Sequence, residues 1–231
     1  MTGNWDSYVE QAWDKNAGDW HSRSEEMWER GSRKSILPLF MQVVPATSGV
    51  VLDAGCGDGY ASRKLAAAGY CVEGVDLSAE MITLAKKQSR DGLSVHFQQG
   101  NISALPFSDG QFAGILAINV VEFTESPLST LREFYRVLQP DGILLLGILG
   151  PTAGPRAFSY RRLYGEPVIQ NTIMPWEAKR LAMENGYTLV AEEPVYRDGV
   201  KAALTQGLSR ELQQALSFLT LFGLNMKSEC G

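Results

Sequence analysis

The sequence predicts an α/β fold, a doubly wound and mostly parallel sheet with helices on both faces. Three observations carry this. Short apolar segments alternate with helical ones from Val50 to Leu149, the rhythm of successive βαβ units. The run Asp53-Ala54-Gly55-Cys56-Gly57-Asp58-Gly59 joins the first apolar segment directly to a helix. Residues 143–149 are continuously apolar, as a strand covered on both faces requires.

Taken in order, residues 4–43 read as helical. Trp5, Trp13, Trp20 and Trp28 recur there at a spacing that puts the rings on roughly one face. That stripe suits a packing face, or an aromatic cover over a ligand. Val50-Val51-Leu52 is an apolar strand, and residues 60–68 form an Ala-rich helix stopped at Gly69. Residues 71–75 are the second strand. Ser78 then caps a helix whose Met81, Ile82, Leu84 and Ala85 fall at helical spacing. Strands follow at 93–97 and 113–118. A helix at 128–138 carries Leu131, Phe134, Tyr135 and Leu138 on one side, and Pro140-Asp141-Gly142 turns the chain into strand 143–149. After Gly150 the rhythm breaks. Residues 151–175 are rich in Gly, Pro, Tyr and Arg and long for a connection, which suits a lid. A helix at 176–185 closes at Gly186, and residues 187–195 and part of 216–226 supply two last strands. The chain thus reads as one domain: a helical cover (1–45), a ligand-binding core (46–149), a lid and helix (150–186) and C-terminal strands (187–231).

Composition narrows the function. At 231 residues, 45% hydrophobic and 20% charged, the chain can bury a core without staples. A net charge of −5 and a pI of about 5.2 lack the basic surplus that phosphate neutralisation demands, so no nucleic-acid partner is expected. Cys56, Cys71 and Cys230 form neither a disulfide framework nor a Cys-x-x-Cys pair, and His21 and His96 are the only histidines, so no metal site is expected. No apolar leader or membrane-length run appears, which points to a cytoplasmic protein with no membrane partner.

The glycine loop selects its ligand. Glycines at 55, 57 and 59 permit positive φ angles and close approach of a ligand to the backbone. A dinucleotide loop places its third glycine one residue later, where Tyr60 stands. Asp53 at the strand end would repel a pyrophosphate but suits a cationic amine, and no Gly-Lys-Ser/Thr follows for a P-loop. Asp76 ends the second strand about twenty residues on, the place of a ribose-binding acid. Either aspartate alone also reads as a helix cap. Together, on consecutive strands, they read as a site for S-adenosylmethionine, which is cationic and carries no phosphate.

The run 51–59 closely resembles motif I of the class I S-adenosylmethionine-dependent methyltransferases. Gly74-Val75-Asp76-Leu77-Ser78 with Met81 resembles their second motif, 100–107 their adenine-binding segment, and 131–146 the helix-turn-strand after the fourth strand. The likeness spans about 50–149 and is greatest to the UbiE-like, type 11 group. It implies a Rossmann-like seven-stranded sheet with one antiparallel strand near the C-terminus, S-adenosylmethionine as cofactor and S-adenosylhomocysteine as product. It further implies that Asp53, Gly55 and Gly57 surround the methionine moiety, that Asp76 holds the ribose diol, and that Leu77 lies against adenine. Met81 belongs to that second motif. Asn101 and the Ile102 backbone would meet the adenine edge, and the Asn119 carbonyl the amino group. Two positions depart from the pattern: Asn101 stands where the group has Asp, and Asp141 where it has Gly.

The expected reaction is in-line methyl transfer to a small-molecule acceptor. Alternatives are a non-catalytic cofactor-binding sensor or scaffold, and a nicotinamide oxidoreductase that Gly59 and Tyr60 disfavour. Asn119-Val120-Val121-Glu122 is not Asn-Pro-Pro-Tyr, and no Pro-Cys pair occurs, which disfavours base-amine, glutamine and cytosine-C5 methylation. His21 and Glu122 are candidate general bases by placement; a surface His and a capping Glu are the plainer readings. Arg156, Arg161 and Arg162 in the lid suit an anionic or aromatic substrate or a solvated surface, and Arg33 is within the cover's reach of a cofactor carboxylate.

Overall fold

The structure, a computed structural model, describes residues 5–197, 200 and 202–226. Its strands are β1 (Val50–Ala54), β2 (Cys71–Asp76), β3 (Val95–Gln99), β4 (Phe112–Ile118), β5 (Leu138–Leu149), β6 (Tyr187–Val195) and β7 (Leu219–Met226). Its helices are α1 (Trp5–Glu29), α2 (Ile36–Val43), α3 (Tyr60–Ala67), α4 (Ala79–Gln88), α5 (Pro127–Val137), α6 (Pro175–Glu184), α7 (Ala202–Thr205) and α8 (Arg210–Leu216).

The seven strands form one sheet in the order β3-β2-β1-β4-β5-β7-β6. β1 to β5 pair in parallel, and β7 runs antiparallel to both β5 and β6. This is the Rossmann-like sheet expected, with its single reversed strand near the C-terminus. The chain starts in the middle, builds outward to β3, then returns to β4 on the other side of β1. That switch between β1 and β4 opens a crevice beyond their carboxyl ends, where open α/β sheets place ligands.

Local chemistry accounts for the elements. Ser78 Oγ accepts from the Met81 N–H at 3.1 Å and starts α4. Ser126 does the same for the Ser129 N–H, with Pro127 at the first helical position of α5. Leu131, Phe134 and Val137 then point into a core shared with Leu52, Ile115, Leu144 and Phe222. On the opposite face Ile36 and Phe40 of α2 and Leu65 of α3 pack on Val51, Leu116 and Leu145. Both faces of the sheet are therefore covered, which is why its central strands are apolar apart from Asp53 at the end of β1 and the 139–141 irregularity of β5.

Three boundaries differ from expectation. The N-terminal helix breaks at residues 30–35, where Gly31 and Ser32 lower helix propensity and the Gly31 N–H reaches back five residues to the Glu26 carbonyl. β3 begins at Val95, the partner of Val72, rather than at 93. β5 begins at Leu138, opposite Phe112, so the 140–142 turn is an irregularity inside a strand. Asp141 sits there at φ 62°, in the left-handed region glycine prefers. Asp141→Gly is expected to raise unfolding stability by about 1 kcal/mol by removing that strain; an unchanged or lower value in denaturant titration would contradict this.

Candidate functional site

A cleft lies over the carboxyl ends of β1, β2 and β4. All nine residues singled out for the cofactor line it: Asp53, Gly55, Gly57, Asp76, Leu77, Met81, Asn101, Ile102 and Asn119. Trp13, Trp20, Trp28 and Phe123 supply its aromatic wall, and Arg33 its cation.

Gly55 has φ 73°, and a side-chain carbon added there would come within 2.2 Å of Val120. Gly57 has φ 55°, and the Trp20 ring nitrogen lies 3.2 Å from the corresponding point. Both positions thus need glycine for conformation and for space. The loop is tied to β2. The Gly55 and Cys56 N–H groups both donate to the Val75 carbonyl, at 2.7 and 3.0 Å. Asp76 Oδ2 accepts from the Gly57 N–H at 2.8 Å and Oδ1 from the Ser78 N–H at 2.9 Å.

Burial raises the Asp76 carboxyl to about 6, against the lowering effect of those two N–H bonds. Asp53 is raised to about 6 by burial as well, opposed by the Ser62 hydroxyl that donates to its Oδ2 at 2.5 Å. Asn119, the residue after β4, has φ 55°; its N–H donates to the Gly147 carbonyl at 2.9 Å, and its buried Oδ1 has no hydrogen-bond partner. A cation in the cleft would ease the burial of Asp53. The cleft offers acids at Asp6, Asp53, Asp58 and Asp76 against one arginine, a set that fits a cationic, phosphate-free ligand.

The roof of the cleft is α1, which lies across the loops as a 25-residue helix. A row of polar clasps holds it. The Trp5 indole N–H donates to the Phe123 carbonyl at 2.8 Å, and the Gln99 amide donates to Glu10 at 2.8 Å. Asp14 accepts from the Ser78 hydroxyl at 2.5 Å and from the Glu80 N–H at 3.2 Å. Asp58, inside the glycine loop, takes the Ser24 hydroxyl on Oδ1 at 2.9 Å, and its Oδ2 is 2.7 Å from His21 Nδ1. The tryptophan stripe packs and lines the cleft at once: Trp13 stands edge-on to both Trp20 and Phe123, and Trp28 also joins the core of Ile36 and Phe40. Sequence reasoning missed the clasps; their signal is the polar series Asp6, Glu10, Asp14, His21 and Ser24 on the tryptophan side of the helix.

The Asn101 departure has a local cause. Its Nδ2 donates to Asp6 of the roof at 2.8 Å, and its Oδ1 accepts from the Ser103 N–H at 2.8 Å. A carboxylate at 101 would face the Asp6 carboxylate, and the amide turns that repulsion into a bond. Arg136, unremarked as a site residue, fixes the segment after Asn101 by donating to the Leu105 and Phe107 carbonyls at 3.1 and 2.8 Å.

Neither candidate base lines the cleft. His21 borders an outer crevice with Tyr60, Lys64 and Gln88. Glu122 is fully buried, and its Oε1 accepts from the Leu149 N–H at 2.6 Å; burial lifts its carboxyl to about 7. Among the described residues, none of 151–175 lines the cleft either. Arg156 donates to the Leu149 and Ile173 carbonyls, and Asn171 donates to the Val121 and Thr124 carbonyls at 2.7 Å each, which latches this segment beside the β4 turn. Arg161 pairs with Glu166 and stacks near Tyr160 and Tyr164 on the surface. Among the described residues no cluster of His, Cys, Asp or Glu is placed to hold a metal ion, and no helix is long and apolar enough to cross a membrane.

Residues 52–146 match the methyltransferase domain family. That segment is a class I S-adenosylmethionine-dependent methyltransferase domain of the type 11 group. It is 32% identical over 108 residues to the ubiquinone biosynthesis O-methyltransferase of Haemophilus ducreyi, covering 44% of this chain and 46% of that one. It is 33% identical over 128 residues to the malonyl-[acyl-carrier protein] O-methyltransferase of Enterobacter lignolyticus, covering 55% and 50%. The chain thus spans about half the length of these curated relatives. In fold it resembles a chain from the Haloferax volcanii complex of the Trm112 methyltransferase activator, with a TM-score of 0.74, 18% identity and coverage of 96% and 99%.

The Asp6–Asn101 clasp is open to test. Asn101→Asp should lower unfolding stability by about 1–2 kcal/mol, and adding Asp6→Asn should restore part of the loss. Equal stability of wild type and Asn101→Asp would refute the pairing.

Proposed function

We propose that the chain transfers a methyl group from S-adenosylmethionine to a small-molecule acceptor. The observation that carries this is the convergence of Asp53, Asp76 and the glycine loop on one roofed cleft. Asp53 would face the donor's amine, Asp76 the ribose diol, and Leu77, Asn101 and Ile102 the adenine. The bound donor supplies a methyl carbon already activated by its sulfonium. The chain's own task is positioning, which contributes roughly 7–11 kcal/mol of barrier reduction in well-aligned reactions. The roof and the wall of Trp13, Trp20 and Phe123 exclude water from the reacting centre. Both curated relatives above are named O-methyltransferases, which favours an oxygen acceptor.

Incubating the protein with a metabolite extract and methyl-labelled S-adenosylmethionine should yield a labelled small molecule. Tight binding of S-adenosylhomocysteine without any labelled product would instead support a sensor or scaffold. Donor affinity should also depend on pH. The carboxylates at 53 and 76 accept hydrogen bonds and attract the amine when ionised, above about 6, and lose that capacity as pH falls through it. Affinity for S-adenosylhomocysteine should therefore fall by about tenfold or more between pH 7 and pH 5 in calorimetry; a flat profile would exclude both aspartates from the contact.

A further inference from the structure

We propose that the crevice outside the glycine loop is a second ligand site, that it takes an organic phosphate, and that its occupancy fastens α1 over the cleft. The phosphate site stands on the crevice alone; its link to the cleft rests on the donor reading above. Residues of α1, α3 and the end of α4 surround the crevice, and Asp58 lines both it and the cleft.

Charge selects an anion. The chain carries a net charge of −5, yet His21, Arg63, Lys64 and Arg90 line this crevice against Glu25 and Asp58. Asp58 is buried, and Ser24 and His21 engage its two carboxylate oxygens. Lys64 is paired with Glu29 at 2.6 Å. The two arginines are not paired with any carboxylate among the described residues. Arg63 is partly buried and donates from Nη1 to the Asp58 backbone carbonyl at 2.6 Å. Burial lowers its pKa, against the raising effect of the Asp58 charge, so an anion beside it would offset a desolvation cost. Arg90 is exposed on the turn after α4, and among the described residues no hydrogen bond or ion pair engages its side chain. Glu25, on the exposed side of α1, is the one lining acid left to oppose them among the described residues.

The number and placing of the donors narrow the anion to a phosphate. A carboxylate fills one guanidinium fork. A phosphate monoester offers three oxygens and nearly two negative charges, enough to engage a guanidinium from α3 and another from the turn after α4 together. Tyr60, Ala67 and Leu93 supply an apolar lining for the organic part. His21 connects this site to the roof. It stands on α1, its Nδ1 is 2.7 Å from Asp58 of the glycine loop, and its Nε2 is 3.3 Å from the Gln88 amide of α4. An anion that bridges His21 to Arg63 and Arg90 adds one more clasp between the roof and the helices beneath it.

Calorimetry on the full chain at constant ionic strength tests this, with phenyl phosphate as the probe and benzoate as its carboxylate counterpart. Phenyl phosphate should bind about tenfold or more tighter than benzoate. Arg90→Ala alters an exposed side chain outside the donor cleft. It should weaken phenyl phosphate by about tenfold, the scale of one lost charged hydrogen bond. Without phosphate it should leave S-adenosylhomocysteine affinity within about twofold. Saturating phenyl phosphate should tighten S-adenosylhomocysteine by about fivefold or more in the wild type, and the reverse coupling should match it. Phenyl phosphate that binds no better than benzoate, or equally well to Arg90→Ala, would mean a solvated cationic face and overturn the site. Unchanged or weakened S-adenosylhomocysteine binding in its presence would overturn the link to the roof. Wild-type protein that takes phenyl phosphate but no S-adenosylhomocysteine would sink the donor reading and the link with it, and would support the phosphate site.

Discussion

Asp76 accepts one N–H from the glycine loop and one from the start of α4, and the geometry of the cleft depends on that double contact. The loop leaves β1 at the point where the sheet reverses its order, so its position fixes where a ligand can meet the backbone. The Val75 carbonyl reinforces the tie by taking two further N–H groups from Gly55 and Cys56. With the loop so held, Gly55 presses on Val120 and Gly57 lies under Trp20, and a side chain at either place would enter occupied space. The burial that makes this rigidity possible also raises Asp53 and Asp76, leaving two carboxyls that gain from a cationic ligand.

The roof follows from the same loop. Asp58 projects from between Gly57 and Gly59 to hold Ser24 and His21, while Ser78, the cap of α4, holds Asp14. One helix is thereby fastened to the ends of β1, β2, β3 and β4 at once. Each clasp is a modest contribution of about 0.5–1.5 kcal/mol, and a row of them along one helix is what closes the cleft. A ligand beneath α1 must touch the loop and the roof together. This is why Asn101, which bonds the roof, replaces an acid there, and why Arg33 reaches the cleft from the segment that ends the roof.

The sheet was legible because its central strands are mostly continuous apolar runs and its turns carry glycine, proline or serine caps. The nine cleft residues were legible because they sit in short local motifs, each at a strand end. The roof contacts were not, since Asp6 and Asn101 are 95 residues apart and nothing local announces their pairing. The break at 30–35 hangs on one Gly-Ser pair that propensity alone does not resolve. The 151–175 segment had the length and composition of a lid, but Arg156 Nη2 and the Asn171 amide donate to neighbouring backbone carbonyls and tie it beside the β4 turn. His21 and Glu122 were candidates by placement along the chain, and each is engaged outside the cleft.

The central claim is that the donor binds between the glycine loop and α1. Hydrogen exchange with and without S-adenosylhomocysteine tests it directly. The account predicts new protection in 55–59 and along Trp5–Glu29, with little change in 151–164. Protection that appears in 151–164 and leaves α1 unchanged would contradict it.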